Sequence, residues 1–354
     1  MGWEAGPVLC LHVGEMAMAI QDAIAKLIEG QDLPRDRMIG TMNQIMSGEA
    51  TDAQIGAFLV ALRVKGETVE EIAGAAEVMR DKATRVVTRH PTVVDTCGTG
   101  GDGSGTFNIS TAAAFVVAGA GLCVAKHGNR AASSLCGSAD VLKELGVNIE
   151  ASPGTMGRCL DEAGIGFLFA PALHGAMKYA IGPRRELGAR TIFNALGPLT
   201  NPAGATRHLI GVYSRSLTDT LAEVLRTLAS ERAFVVHGLD GLDEISTTGP
   251  TQVSELKDGT VSTYEITPED LGIARASADD LAGGNAETNA AILRRVLNGE
   301  PGPRLDIVLL NAAAAIVAGG AAGDLPAAME LARETVDSGR AVDKLEELKL
   351  VSAG

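Results

Sequence analysis

Hydrophobic and polar positions along the chain change period twice. From residue 18 to about residue 89 apolar side chains recur at helical spacing, as at Ile20, Ile24, Leu27 and Ile28, with a stop at Gly30. Start signals then repeat. Asp32 precedes Pro34, Thr51 has Gln54 three residues on, and Thr68 has Glu71, the last two at capping-box spacing. The pattern predicts four short helices forming a small domain, whose apolar faces must pack on one another, on the rest of the chain, or on a second copy. After His90-Pro91 the pattern becomes short apolar runs at 93–94, 122–125, 165–169, 209–213 and 234–237, separated by helical stretches. Uninterrupted runs of that length mark strands buried on both faces. Their alternation with helices predicts a mainly parallel sheet with right-handed crossovers and ligands at the carboxyl ends of its strands. Thr/Val/Ser-rich residues 251–264 predict an antiparallel addition, and the pattern is helical again from residue 285 onward. The longest apolar run, 307–318, is interrupted by Asn311 and is too short to span a bilayer, so it reads as a buried helix.

One stretch breaks this alternation. Between the apolar pair at 93–94 and the Ala/Val-rich pattern after residue 111 lie DTCGTGGDG (95–103) and SGTFNIST (104–111). Gly98, Gly100, Gly101 and Gly103 leave backbone N–H groups uncovered and permit positive φ, the arrangement a loop needs to wrap an anion. Asn108, Ser110 and Thr111 then lead into a helix, whose N-terminus adds partial positive charge. A capped surface turn has the same local pattern. Gly98, Gly100 and Gly103 also satisfy GxGxxG, which in a dinucleotide fold requires an acid about 20 residues on, at the end of the next strand. Here the run 122–125 ends in Lys126, His127, Gly128, Asn129 and Arg130, and a cation there suits a further phosphate.

Composition narrows the function classes. The chain of 354 residues is 46% apolar but only 3% aromatic, so its core must be built from Ala, Val, Ile and Leu. A net charge of −14 argues against nucleic acid as the main partner, and no run is long enough for a membrane span. Cys10, Cys97, Cys123, Cys136 and Cys159 show no metal spacing, and their odd number argues against a disulfide framework, which fits a reducing cytoplasm. Residues 1–17 read as an N-terminal extension.

Three further clusters carry candidate chemistry. Lys126, His127, Asn129 and Arg130, followed by Ser133, Ser134 and Ser138, offer donors to phosphate oxygens on the same sheet edge as the glycine loop. Solvated loop charge remains the alternative for Lys126 and Arg130, and a structural histidine for His127. Residues 174–202 gather Lys178, Arg184, Arg185 and Arg190, of which one is a natural carboxylate or phosphate clamp, although pairing with acids such as Glu186 is also open. The Gly-Pro and Asn-Pro turns of 194–202 read as a rigid loop. Adjacent Asp243 and Glu244 follow the run 234–237; such hard oxygen ligands suit Mg²⁺ facing phosphates, although the chain carries 44 acids in all.

Taken together, VDTCGTGGDG, FNIST, KHGNRAASS with GSADVL, RRELGARTIFNALGPLTNP and DGLDEIS occur in order over most of 93–246, and this set closely resembles the anthranilate phosphoribosyltransferases. The resemblance implies an α/β protein of the nucleoside phosphorylase/phosphoribosyltransferase type. Its helical domain would span 18–90, joined by helices from about 175–205, with a donor-binding α/β domain over 91–354. It implies a homodimer and two Mg²⁺ per monomer. The activity would be transfer of the phosphoribosyl group of 5-phosphoribosyl 1-pyrophosphate to the amine of anthranilate, in tryptophan biosynthesis. The positions implied for the donor are Gly98, Gly101, Asp102, Thr106, Asn108, Ser110, Thr111, Lys126, His127, Gly128, Asn129 and Ser138. For anthranilate they are Gly98, His127, Asn129, His174, Arg184, Gly197 and Pro198, with Arg184 on the carboxylate; for metal they are Ser110, Asp243 and Glu244. Neither a covalent nucleophile nor a strong base is implied, which leaves Cys97 structural. Gly175, Pro183 and Cys136 depart from the family pattern, all outside the glycine loop and the acid pair. The rivals are a pyrimidine-nucleoside phosphorylase, which would not need Asp243 and Glu244, and a non-catalytic nucleic-acid-binding relative, which the acidic balance opposes.

Overall fold

The computed structural model describes residues 20–131 and 135–354, so the extension at 1–17, Met18, Cys10, Ser133 and Ser134 lie outside the described residues. Four helices come first: α1 (Ile20–Ile28), α2 (Arg35–Ser47), α3 (Asp52–Lys65) and α4 (Val69–Lys82). Both capping boxes form, Thr51 with Gln54 and Thr68 with Glu71, each closing two otherwise orphaned N–H groups. Asp32 caps nothing. Helix α2 begins after Pro34 without a side-chain cap, and Asp32 instead accepts from Lys65 Nζ at 2.6 Å. The helical pattern also stops earlier than its expected end near residue 89. β-Branched Thr84, Val86, Val87 and Thr88 favour extended backbone, and the N–H groups of Thr84 and Val86 donate to the carbonyls of Leu173 and Pro202.

The α/β part follows as β1 (Val94–Asp95), α5 (Ile109–Gly119), β2 (Val124–Gly128), α6 (Ser138–Glu144), α7 (Pro153–Arg158), β3 (Ile165–Phe169) and α8 (Ala170–Leu173). Next come α9 (Ile181–Leu187), α10 (Ile192–Leu196), β4 (Arg207–Gly211), α11 (Leu217–Thr227), β5 (Arg232–Gly238), β6 (Thr251–Lys257) and β7 (Thr260–Ile266). Helices α12 (Ala286–Leu297), α13 (Pro303–Gly319), α14 (Leu325–Asp337) and α15 (Arg340–Ser352) end the chain. The strands form one sheet in the order β3-β2-β1-β4-β5-β6-β7, parallel from β3 to β5 and antiparallel over β6 and β7. The order reverses between β1 and β4, and the carboxyl ends at such a switch point leave a crevice between diverging loops.

Alternate strand residues enter different cores. Val94, Val124, Leu209, Phe234, Val236 and Val253 join one core with α5 and α12 to α15. Ile210, Ala233, Val235 and Leu256 join another with α1 to α4 and α11, and Ala180, Ile192, Phe193, Leu196 and Leu199 lie in this second core. Part of the rigid loop expected at 194–202 is helical, and the α9–α10 segment packs with the helical layer. Its residues 192–199 are helical, as α10 followed by a 3₁₀ turn (Gly197–Leu199). Asn311, the polar break in the buried helix, is fully buried in α13. Its amide clasps Ile245, accepting from that residue's N–H and donating to its carbonyl, both at 2.9 Å. Among the described residues no helix is long and apolar enough to cross a membrane.

Glu71 is the polar tie of the helical layer. It is fully buried, with Oε1 accepting from Leu33 N–H at 2.9 Å and Oε2 accepting from Thr68 N–H at 2.8 Å and Lys65 Nζ at 2.9 Å. Glu71→Ala should cost about 3 kcal/mol, because it strands donors away from water, and Glu71→Gln should cost less. Urea midpoints at unchanged m-value measure both.

Candidate active site

The glycine loop leaves β1 at the switch point. Gly100, Gly101, Gly103 and Gly105 have φ between +64 and +76°, which bares successive N–H groups. Gly98 is needed for another reason: a Cβ there would come 3.0 Å from Asp243 Oδ2 and 3.3 Å from the Gly211 carbonyl. Thr99 N–H donates to Gly211 O at 2.8 Å, Thr99 Oγ1 accepts from Tyr213 N–H at 3.0 Å, and Gly100 N–H donates to Asp243 Oδ2 at 2.8 Å. Arg190 closes the outer side, donating to the Gly101 carbonyl with its guanidinium 4.3 Å from the Tyr213 ring centroid. The sequence placed Arg190 in a basic cluster but carried no sign of this contact, which joins segments far apart in the chain. Farther along, Thr106 makes a bridge with Ala282, and Asp102 accepts from Ser104 N–H at 3.3 Å.

Lys126 lies within β2, where the expected strand had already ended. Its side chain is 4% exposed and crosses beneath β1, donating to Thr96 O at 2.6 Å and to Ser110 Oγ at 3.3 Å. A lysine is tolerated in a buried strand here because its ammonium finds these oxygens. Asn108 precedes α5 without capping it; its amide donates to Cys136 O at 3.1 Å and accepts from Asn289 at 3.0 Å. Thr111 Oγ1 is buried with no hydrogen-bond partner among the described residues.

The acids arrive on the loop after β5. Asp243 holds Gly100 N–H, Glu244 Oε1 accepts from Ser110 N–H at 3.1 Å, and Asp243 N–H lies 3.5 Å from Asp102 Oδ2. Asn311 pins the adjacent Ile245, and Gly211, where a Cβ would collide with the Asp243 carbonyl, lets the loop descend onto β4. Burial, then Glu244 and Asp102, hold the Asp243 carboxyl well above the usual range. Burial pushes Glu244 up to about 7 against the pull of Lys126 and Ser110 N–H. Desolvated neighbouring carboxylates are a donor set that fits a hard divalent cation.

A second, uncharged group sits beyond β2. His127 N–H donates to Asp95 Oδ1 at 3.1 Å, its Nδ1 is 3.0 Å from the Gly197 carbonyl, and its Nε2 is 3.2 Å from His174 Nε2. Burial pushes His127 down to about 3 and His174 down to about 4. The ring of His127 thus meets Gly197 and His174 rather than the glycine loop. Arg184, on α9, lies 5.0 Å from the Phe193 ring centroid and makes no ion pair among the described residues; burial lowers its pKa, though a guanidinium stays charged. Pro198 is buried in the adjoining turn, and Asn129 O accepts from Ser138 Oγ at 3.2 Å. Gly128 packs flush, since a Cβ would strike Ser138 Oγ and the Phe167 ring. Of the departures, a Cβ at Gly175 would meet nothing within 4 Å, while Pro183 and Cys136 are buried.

Some expected site cations lie elsewhere. Arg130 pairs with Asp140 and Glu150 and stands over Phe169, and Lys178 stands over Tyr179. Asp95 and Asn201 were not singled out in the sequence, yet both are buried and joined at 2.7 Å. Burial pushes Asp95 up to about 6 despite Asn201, Lys126 and His127 N–H. Asp95, Cys97 and His127 place ligand atoms within 4.8 Å of one another, but both Asp95 oxygens already accept from protein donors, so this is a structural knot.

Comparison with known proteins agrees with this fold. Residues 90–342 match the profile described as "Glycosyl transferase family, a/b domain", and residues 21–83 match its "helical bundle domain". The anthranilate phosphoribosyltransferase of Moorella thermoacetica is 59% identical over 91% of this chain and 95% of its own. The chain belongs to the anthranilate phosphoribosyltransferase family. The structure of the family's Thermus thermophilus enzyme superposes with a TM-score of 0.90 at 43% identity, covering 94% of this chain and 100% of that one. That of Saccharomyces cerevisiae in complex with PRPP and Mg gives 0.85 at 29% identity, covering 94% and 98%; the yeast enzyme is also known in complex with 4-fluoroanthranilate. These relatives favour neither a nucleoside phosphorylase nor a nucleic-acid-binding protein.

The raised acids make stability depend on pH. A carboxyl whose folded pKa lies above its unfolded value stabilises at low pH, and this is lost as pH rises through the folded value. The buried neutral histidines His127, His174 and His208 act oppositely, adding stability as pH rises through their unfolded value near 6.5. The acids' part of the slope, a loss of about 1 kcal/mol between pH 6.5 and 8 in the metal-free protein, is therefore read as the difference from a variant without them. An Asp243→Asn/Glu244→Gln variant should lack this slope, and added Mg²⁺ should offset it; urea unfolding across the pH range measures it.

Proposed function

We infer that this chain catalyses transfer of the 5-phosphoribosyl group from 5-phosphoribosyl 1-pyrophosphate to anthranilate, giving N-(5-phosphoribosyl)anthranilate and pyrophosphate. The observation that carries this reading is the meeting of the glycine loop, the first turn of α5 and the loop after β5 at one switch point: Gly100 and Ser110 N–H groups are held by Asp243 and Glu244, with Lys126 on Ser110. In our reading Gly98, Gly101, Asp102, Thr106, Asn108, Ser110, Thr111, Lys126, Gly128, Asn129 and Ser138 bind the donor. Asp243 and Glu244, with Ser110, hold Mg²⁺, two ions per monomer. When bound, Mg²⁺ neutralises charge on the departing pyrophosphate.

The residues do the rest. Loop N–H groups, the α5 N-terminus and Lys126 fix the phosphates, so that C1 of the ribose faces the acceptor. Arg184 takes the anthranilate carboxylate, and the neutral pair His127 and His174, with Asn129, Gly197 and Pro198, orients the ring and amine. The amine nitrogen bonds to C1 as the bond from C1 to the pyrophosphate oxygen breaks, with inversion, and the amine then loses one proton. An aromatic amine is already neutral at pH 7, so positioning replaces a strong base. Four buried free thiols among the described residues, at Cys97, Cys123, Cys136 and Cys159, support a reducing cytoplasmic setting. A homodimer through the helical domain is supported by Ile28, Val60, Val64 and Ile181, exposed on α1, α3 and α9, where α3 contacts both neighbours.

Loss of anthranilate fluorescence on mixing protein, donor and Mg²⁺ tests the activity, and fluorescence that persists with all three present would refute it. Arg184→Ala should raise the KM for anthranilate about tenfold or more with a smaller effect on the donor, and unchanged anthranilate kinetics would sink the clamp. Asp243→Asn/Glu244→Gln should abolish Mg²⁺-dependent turnover. Val60→Asp/Val64→Asp should convert a dimer to a monomer in light scattering, and a wild-type monomer would refute the dimer.

A further inference from the structure

His127 and His174 hydrogen-bond through their Nε2 atoms, so one of these nitrogens carries a proton and the other does not. The Gly197 carbonyl, 3.0 Å from His127 Nδ1, can only accept. The single proton of neutral His127 therefore sits on Nδ1, its Nε2 accepts, and His174 donates from Nε2. His174 is left with a lone pair on Nδ1. The alternative tautomer would set the His127 Nδ1 lone pair against the carbonyl oxygen.

This assignment turns on where the Gly197 carbonyl is held. It belongs to the 3₁₀ turn Gly197–Leu199 after α10, a helix of five residues, which is too short to hold its own geometry. Thr200 donates back to Gly197 O from its hydroxyl at 3.1 Å and its N–H at 3.3 Å. Just beyond, Asn201 Nδ2 donates to Asp95 Oδ2 at 2.7 Å and to Ala125 O at 2.8 Å. The remaining tie comes from the helical domain. Arg80, at the end of α4, donates from Nε to the Leu199 carbonyl at 2.7 Å. That carbonyl is at the open C-terminus of the turn, where an arginine donor replaces the missing helical N–H.

We propose that Arg80, with Asn201, is a positioning residue for the acceptor: by holding the Leu199 carbonyl it places that of Gly197, fixes the tautomers of His127 and His174, and leaves His174 Nδ1 to accept an N–H of the incoming aromatic amine. The amine's part in this rests on the acceptor reading given above; the tautomers do not. Arg80 acts through Gly197 and His127.

Imidazole ¹⁵N spectra of histidine-labelled, ligand-free protein near pH 7.5 decide the tautomers, with signals assigned by their loss in His127→Asn and His174→Asn. The expected result is Nδ1–H on His127 and Nε2–H on His174; an Nε2–H signal on His127 overturns the assignment. Arg80→Met keeps the stem and removes the donor. It should introduce a second His127 tautomer and raise the KM for anthranilate about fivefold to tenfold, with the KM for the donor changed less than about twofold. Arg80→Lys, which keeps the charge but lacks the Nε–H, should show the same His127 change and serves if the methionine variant does not fold. Unchanged His127 signals in either folded variant, or equal rises in both KM values, overturn the role of Arg80. Absence of wild-type turnover with anthranilate would refute the acceptor reading alone, since the tautomer signals are read without substrate.

Discussion

The site depends on two places where a side chain is missing. A Cβ at Gly98 would crowd Asp243 Oδ2, and one at Gly211 would overlap the Asp243 carbonyl. The bare position at Gly98 leaves Asp243 its place, and the one at Gly211 is what lets the loop after β5 descend over the ends of β1 and β4. Once it does, Asp243 reaches Gly100 N–H and Glu244 reaches the first turn of α5. Asn311 supports the same descent from below by pairing with both backbone groups of Ile245. The sheet order supplies the crevice, and close backbone approach fills it with acids.

That approach carries an electrostatic cost that the rest of the site answers. Asp243 and Glu244 are removed from water beside each other and near Asp102, which favours protonation. Lys126 and the Ser110 N–H oppose this at Glu244, but not enough to return the carboxyl to its ordinary range. A local arrangement disfavoured without a cation, held by a well-packed sheet, is what a metal and phosphate site requires. Lys126 is buried for the same reason: from within β2 it reaches the end of β1 and the start of α5 together.

Much of this was legible in the chain because it is written locally. Runs of apolar residues marked the strands, the Thr51 and Thr68 boxes marked helix starts, and the glycine spacing marked the loop. What was not legible depends on partners far away in sequence. Lys126 read as a phosphate donor just past a strand because β2 extends beyond its apolar run, and only the oxygens of Thr96 and Ser110 explain its burial. Arg130 looked like a site cation until Asp140 and Glu150 were beside it. The turn signals of Gly-Pro and Asn-Pro at 197–202 pointed to a rigid loop, whereas packing against the helical core makes their first part helical. No local signal joined Asp95 to Asn201.

Asp95 and Asn201 also explain how one site holds two unlike environments. On one side of β2 lie the ammonium of Lys126 and the acids Asp243 and Glu244; on the other the two histidines are neutral, held so by burial. Asp95 stands at the boundary, taking His127 N–H on one oxygen and Asn201 on the other. Because Asn201 also holds Ala125 O in β2, a single amide ties the end of β1, the backbone of β2 and the turn that bears Gly197. That turn therefore touches His127 directly and reaches the glycine loop only through Asp95 at the end of β1. The helical domain, which grips the turn through Arg80, is thus coupled more directly to the neutral half of the site than to the charged half.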